Sequence, residues 1–253
     1  MMILNKHIDH FAADPAAKLS NYVEKYYSIS IRNDAMLSIL EYSVAPRAKP
    51  VLVVKRNRSQ EDFQVLLAGP HLKNHKVLIR KSEQWFIAVL NPGSCFSLFG
   101  ILASAIKENA VNLREVNIEL WDRIRSTFQQ EFSPKSMDEI LLSLNLDFNL
   151  PPMVLEAIQR LSSAQNYRVS LVAEELGINI RQLQREFGRW VGVSPKQFQR
   201  ITRLRKILDH AHKNGSQTWT QIAAKSGYFD QSHLNKEISD VFEVKPTEIK
   251  KLK

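Results

Sequence analysis

The feature that most constrains this chain is an internal repeat near its C-terminal end. Val172-Ala173-x-x-x-Gly177 recurs as Ile222-Ala223-x-x-x-Gly227, an offset of 50 from Val172 to Ile222. Leu183, Phe187 and Val191 then recur as Leu234, Ile238 and Phe242, and Val193-Ser194-Pro195 as Val244-Lys245-Pro246, now offset by 51 from Leu183 to Leu234. One residue has therefore been added in the turn after the second glycine. Two copies of one helix-turn-helix unit, joined by a connector, account for this pattern.

In the first unit a short helix ends at Gly177, because glycine takes the left-handed conformation at little steric cost. Asn179 is placed to cap the next helix through its side-chain oxygen. At 100° per residue Leu183, Phe187 and Trp190 share one face of that helix, while Arg181, Arg185 and Gly188 lie opposite, flanked by Gln182 and Gln184. One face suits a core. The other offers long donors beside a small residue, which is what a helix in a major groove needs: Arg pairs bidentately with guanine, Gln with adenine, and glycine lets the backbone approach. The second unit repeats the arrangement, with Leu234, Ile238 and Val241 on the apolar face and Ser232, Lys236 and Ser239 opposite. His233 and Asn235 flank them and Gln231 stands at the helix start. A charged face on an ordinary helical bundle explains one such helix as well as DNA contact does; its recurrence on the second favours contact.

The connector carries Ser194-Pro195-Lys196-Gln197, a capping serine, a proline at the first helical position and a glutamine at the third. A helix over 195–212 would run about 27 Å at about 1.5 Å per residue, close to the roughly 34 Å between adjacent major-groove segments. Phe198, Ile201, Leu204 and Leu208 form its inward stripe. Arg200, Arg203 and Lys206 lie off it; Arg200 and Arg203, with Arg189 and Lys196, are the candidate phosphate contacts.

Charge follows the same division. Residues 1–150 hold 18 Lys+Arg and 16 Asp+Glu, a net of +2, whereas 151–253 hold 17 and 10, a net of +7. A basic excess in the part that carries the repeat is expected of a region that meets a polyanion.

The N-terminal half reads differently. Short strands are expected over 36–44, 51–54, 63–67, 76–79 and 85–90, bounded by Pro46, Pro50, Gly69-Pro70 and Asn91-Pro92-Gly93. The stretch 19–27 is ambiguous between helix and strand. Helices follow over 99–108, 116–132 and 136–144, and 147–152 reads as a linker because Pro151-Pro152 does not continue a helix. The expected fold class is α+β: a small β-barrel-like domain with trailing helices over 1–150, for sensing or dimerisation, then an all-α domain of two tandem helix-turn-helix units over 151–253.

At this point the residues resemble a known family. The stretch from Val169 onward is similar to the DNA-binding domain of AraC/XylS-type transcription regulators through Leu183-Gln184-Arg185-x-Phe187, Val191-Gly192-Val193-Ser194-Pro195-Lys196-Gln197-Phe198, Arg203-Leu204, Gln221-Ile222-Ala223, Gly227-Tyr228 and Asp230-Gln231-Ser232-His233. The resemblance implies seven helices, the third and sixth entering successive major-groove segments, with Arg181, Gln184 and Arg185 reading bases in one and Gln231, Ser232, His233, Asn235 and Lys236 in the other. Four positions depart from it: Leu234 and Ile238 replace phenylalanines, Glu243 replaces a glycine, and Lys245 replaces the capping serine. They suggest a looser second unit. More faintly, Leu19-Ser20-x-Tyr22-Val23-Glu24, Ala68-Gly69-Pro70 and Phe86-x-x-x-Leu90-x-Pro92-Gly93 resemble the cupin-like sensory region of such regulators.

Other classes fare less well. The 253 residues include seven histidines, but those of the N-terminal half, His7, His10, His71 and His75, form no His-x-His cluster with a carboxylate on an expected strand. No phosphate loop or nucleophile elbow is present, so a metal-dependent cupin-type enzyme is disfavoured and no metal or other cofactor is expected. A nonspecific or architectural DNA binder, using the same charge without reading bases, is the stronger alternative. Cys95, the single cysteine, sits among Phe96, Leu98 and Phe99 and reads as a buried inert thiol. The first ten residues lack the apolar core of a signal peptide and no apolar run reaches the roughly 20 residues of a membrane span, so a cytoplasmic protein is expected, with double-stranded DNA as partner and no membrane association. A small-molecule effector, RNA polymerase and a second copy of the chain are the further partners such a regulator would have.

Overall fold

A computed structural model of the chain describes residues 7–57, 62–144, 146–147, 150–163, 167–213 and 217–243. In the N-terminal half the five expected strands form: β3 (Ile39–Val44), β4 (Val51–Asn57), β5 (Phe63–Ala68), β6 (His75–Arg80) and β7 (Glu83–Leu90). The ambiguous stretch resolves into a 3-10 turn (Ala17–Leu19) followed by strand β2 (Val23–Ile31). Two strands lie outside the expected set. In β1 (Ile8–Ala13) only Ile8 is buried, so the alternation that marks a strand is missing, and β8 (Ala110–Asn112) is only three residues long.

Every pairing is antiparallel, in a six-stranded sheet of order β1-β2-β7-β4-β5-β8 and a two-stranded ribbon of β3 and β6. Alternate side chains leave opposite faces of a strand, and both faces of the large sheet are used. Phe86 and Ala88 with Leu52, Val54, Val65 and Leu67 pack on Ile124 and Phe128 of α3 (Ile118–Gln130) and on Met137 and Ile140 of α4 (Pro134–Leu142). Trp85 and Ile87 face the other way, joining Ile29, Ile31, Tyr42 and Ile79 under the ribbon. The two sheets thus give a barrel-like layer whose interior is filled by side chains.

The helix expected over 99–108 does not form. Gly100 takes a left-handed conformation (φ 69°) and its N–H closes on the Phe96 carbonyl, ending α1 (Ser94–Phe99); a separate 3-10 turn follows at Ala103–Ile106. A one-turn helix, α2 (Leu113–Val116), precedes α3. Cys95 in α1 is buried as expected, and burial pushes its thiol up to about 12.

The C-terminal part is helical: α5 (Pro152–Leu161), α6 (Val169–Glu175), α7 (Ile180–Val191), α8 (Pro195–Lys213), α9 (Trp219–Lys225) and α10 (Gln231–Phe242). The caps follow from local sequence. Asn179 accepts from the Gln182 N–H at 2.8 Å, Ser194 and Gln197 satisfy each other's backbone at 3.3 and 3.0 Å, and Thr218 and Gln221 form a capping box before α9. All six helices share one core. Leu183, Phe187 and Val191 from α7 meet Phe198 and Leu204 from α8, Ile222 from α9, and Leu234 and Ile238 from α10. Phe187 and Phe198 pack edge to face at 5.3 Å, each burial being worth about 1.5–3 kcal/mol.

This core extends to the sheet-rich half through Ala48, Ala45 and Leu72. The seam also takes up the C-terminal end of α7. Trp190, expected to face inward with Leu183 and Phe187, is half-buried and meets Phe96 edge-on at 5.2 Å. Gly192 (φ 84°) lies against Ala103 so closely that an added Cβ would sit 2.8 Å from that carbonyl oxygen. From α8, Arg205 donates to the Pro46 carbonyl at 2.8 Å, and burial, helped by the charge of Arg47, brings its pKa down to about 9.

Candidate nucleic-acid interface

The repeat has a structural meaning down to individual hydrogen bonds. After α6 the Ile178 N–H donates to the Ala173 carbonyl, and after α9 the Tyr228 N–H donates to the Ala223 carbonyl, both at 3.0 Å. Ile178 and Tyr228 are therefore equivalent, as are the N-caps Asn179 and Asp230, and the added residue is Phe229. It is 93% exposed, a feature the sequence pattern alone did not single out.

In α7 Leu183, Phe187 and Val191 are fully buried while Arg181, Gln184 and Arg185 are exposed and Gln182 is partly so. A Cβ built on Gly188 would meet nothing within 4 Å, so the middle of this face is open to close approach. Arg185 is 72% exposed, yet its Nε donates to Glu186 Oε1 at 3.0 Å. That contact uses the inner nitrogen of the guanidinium and not the two terminal nitrogens, with which an arginine can engage a guanine edge.

The face of α10 is more mixed. Ser232, His233 and Lys236 are exposed. The His233 ring leans edge-on against Tyr228 at 5.4 Å, and its backbone N–H is taken by the Asp230 cap. Gln231 is half-buried, its Oε1 accepting from the Thr220 hydroxyl at 2.7 Å. Asn235 is half-buried too. Its Oδ1 is shielded from solvent with no hydrogen-bond partner, so this acceptor is not presented outward as expected of a base reader.

The candidate phosphate contacts divide. Arg189 and Lys196 are exposed, Arg189 stacking 5.8 Å from the Trp190 ring. Arg200, itself exposed, and the partly buried Arg203 both pair with Glu237 of α10, at 2.9 and 3.2 Å. Burial alone would raise the Glu237 carboxyl; the adjacent Tyr228 hydroxyl and the two guanidinium groups outweigh it and hold its pKa below the ordinary value. Glu237 escaped notice in the sequence although it was legible there, standing at the same repeat position as Glu186.

Glu243, which follows α10, adopts the left-handed conformation expected of the glycine it replaces (φ 54°). Lys245, the Val244-Lys245-Pro246 repeat and a seventh helix lie outside the described residues. Among the described residues, no group of three or more His, Cys, Asp and Glu is arranged to hold a metal ion, and no helix is long and apolar enough to cross a membrane. His71 and His75 meet ring to ring at 4.5 Å. Burial, then the neighbouring His75, lowers His71 to about 4, so it is neutral near pH 7.

Comparison with known proteins covers both parts of the chain. A family model described as a helix-turn-helix domain matches residues 172–251, and one described as a domain of unknown function (DUF6597) matches 12–112. No curated protein matches. Among solved structures, the C-terminal domain of AraT, a response regulator from Geobacillus stearothermophilus, is 21% identical (42% of this chain, 88% of that one; TM-score 0.38). An AraC-type regulator from Chromobacterium violaceum is 22% identical (40% and 90%; TM-score 0.36). ToxT from Vibrio cholerae, bound to an unsaturated fatty acid, is 14% identical over 98% of this chain and 96% of that one (TM-score 0.45). Taken with the paired helix-turn-helix units, the family match identifies the C-terminal region of this chain, residues 172–251, as a helix-turn-helix domain.

Proposed function

We propose that the protein is a sequence-specific DNA-binding transcription regulator that sets α7 and α10 into successive segments of the major groove. The observation that carries this reading is the duplication itself: two repeat-related helices bury equivalent apolar stripes and leave polar, donor-bearing faces toward solvent. In the first face Arg181, Gln184 and Arg185 read bases, with Gln182 beside them; in the second Ser232, His233 and Lys236 do so, with Gln231 and Asn235 at the margin. Arg189 and Lys196 meet phosphates. The connector α8 has 19 residues and so spans about 28 Å, a length suited to holding two reading heads about one groove repeat apart.

Control from the sheet-rich half enters through the seam. The end of α7 rests on Phe96 and Ala103, so a change in that half, on binding an effector or a second copy of the chain, acts first on the first reading head. A dimer would read repeated half-sites.

Selection of bound duplexes from a random pool by the purified full chain tests the proposal. Enrichment of a site with two half-contacts about 10 base pairs apart supports it. Binding without an enriched sequence would instead indicate a nonspecific or architectural binder and would reject it.

A further inference from the structure

Glu237 occupies an unusual place for a carboxylate on a helix that faces DNA. It stands four residues after His233, hence on the same side of α10 one turn further along, where an uncompensated negative charge would repel phosphates. It is instead only 12% exposed and held by two arginines of the connector. Arg200 Nε donates to Oε1 at 2.9 Å, and Arg203 Nη2 donates to Oε2 at 3.2 Å and reaches Oε1 at 3.4 Å. The Arg203 guanidinium also lies 4.7 Å from the centre of the Tyr228 ring, against which His233 rests. A continuous set of contacts thus runs from the connector, through Glu237 and Tyr228, to the reading face of α10. Its repeat equivalent Glu186 instead engages Arg185 on its own helix.

We propose that Glu237 is a positioning residue for sequence recognition: it fixes the second recognition helix against the connector and withholds Arg200 and Arg203 from the DNA backbone. The physical reason is twofold. The connector shares its core with α7 through Phe198 and Phe187, so clasping α10 to the connector sets the angle between the two reading heads. Each arginine kept from phosphate also removes sequence-independent affinity, which sharpens the ratio of specific to nonspecific binding. This inference rests on the function proposed above, yet its charge component is measurable on any duplex.

The test compares Glu237→Gln with the double variant Arg200→Gln/Arg203→Gln, both checked for folding by circular dichroism. Binding of each to a random-sequence duplex is measured across a salt series, and to a selected site at one salt concentration. In Glu237→Gln the freed arginines meet phosphate, and the slope of log affinity against log salt steepens by up to about 1.8, two contacts at about 0.9 each. Preference for the selected site over random DNA falls at least about tenfold. In the double variant the preference falls similarly and the salt slope becomes shallower by no more than about 0.9, the effect of the one unpaired Glu237 carboxylate, since the two arginines were not on the backbone. An unchanged slope and preference in Glu237→Gln would overturn the proposal. So would a slope shallower by about 1.8 in the double variant, because the arginines would then be phosphate contacts already. If Glu237→Gln does not fold, the double variant decides alone. A wild type with no preferred site would sink the proposed function, while the random-duplex slopes would still judge the clasp.

Discussion

Gly192 joins two constraints at one Cα, and replacing it with alanine separates them. Its φ of 84° is left-handed, so an alanine there costs about 1 kcal/mol in backbone strain alone. The new methyl would also sit 2.8 Å from the Ala103 carbonyl oxygen and 3.1 Å from Pro70 Cγ, where ordinary contact begins at 3.4 Å. The nearer atom is backbone and does not swing aside, so the seam has to open by about 0.6 Å. Overpacking of this kind costs about 1–3 kcal/mol. The expected loss for Gly192→Ala is therefore about 2–4 kcal/mol. Gly177→Ala is the matched control: its φ is 66° and an added Cβ meets nothing within 4 Å, so it should lose only the strain, about 1 kcal/mol. Urea unfolding of the two variants and the wild type, followed by circular dichroism, measures the difference. Equal losses, within about 0.5 kcal/mol, would refute the reasoning and show that the end of α7 is not seated on the sheet-rich half in solution.

Four further outcomes are expected. Arg185→Ala should weaken binding to the selected site by about 1–3 kcal/mol and relax preference at one base pair, read by repeating the selection with the variant. Glu186→Gln frees the Arg185 side chain held at 3.0 Å; the ordering it had supplied is worth about 0.5–1.5 kcal/mol, so discrimination at that same base pair should fall by less than in Arg185→Ala. Glu243→Gly relieves a left-handed glutamate and should raise stability by about 0.5–1 kcal/mol in urea titration; no gain would place the residue outside that conformation in solution. His71, lowered to about 4 by burial, takes up its proton in the unfolded chain near pH 6.5 but not in the folded one, so stability is present above that pH and is lost as pH falls toward 4. Between pH 7.5 and 5.5 the wild type should lose about 1.4 kcal/mol from this residue. His71→Gln should remove that slope, and an identical pH profile in the variant would contradict the assignment.

The duplication, the caps and the buried stripes of α7 and α10 were decided within the chain's own sequence. They depend on local rules: a period of 3.6 residues, a side-chain oxygen before a helix, a glycine after one. Those rules act over a turn or two, and Asn179, Ser194, Leu183 and Leu234 obey them without reference to the rest of the protein. The five expected strands were legible for the same reason, since alternation is local. β1 was not, because an edge strand with only one buried residue carries no alternation, and the helix over 99–108 failed at Gly100. What only the tertiary structure decided concerns charges and contacts between elements far apart in sequence. Arg200 and Arg203 look like free cations along the chain, and their engagement by Glu237 exists only because α8 and α10 pack together. Trp190 belongs to the apolar side of its helix by periodicity and packs against the helical core, but its edge-on contact with Phe96 across the seam was not legible there. Periodicity tells which side chains must leave water; which partner receives them, and which charges are cancelled on the way, depends on the three-dimensional packing that brings remote residues within a few ångströms.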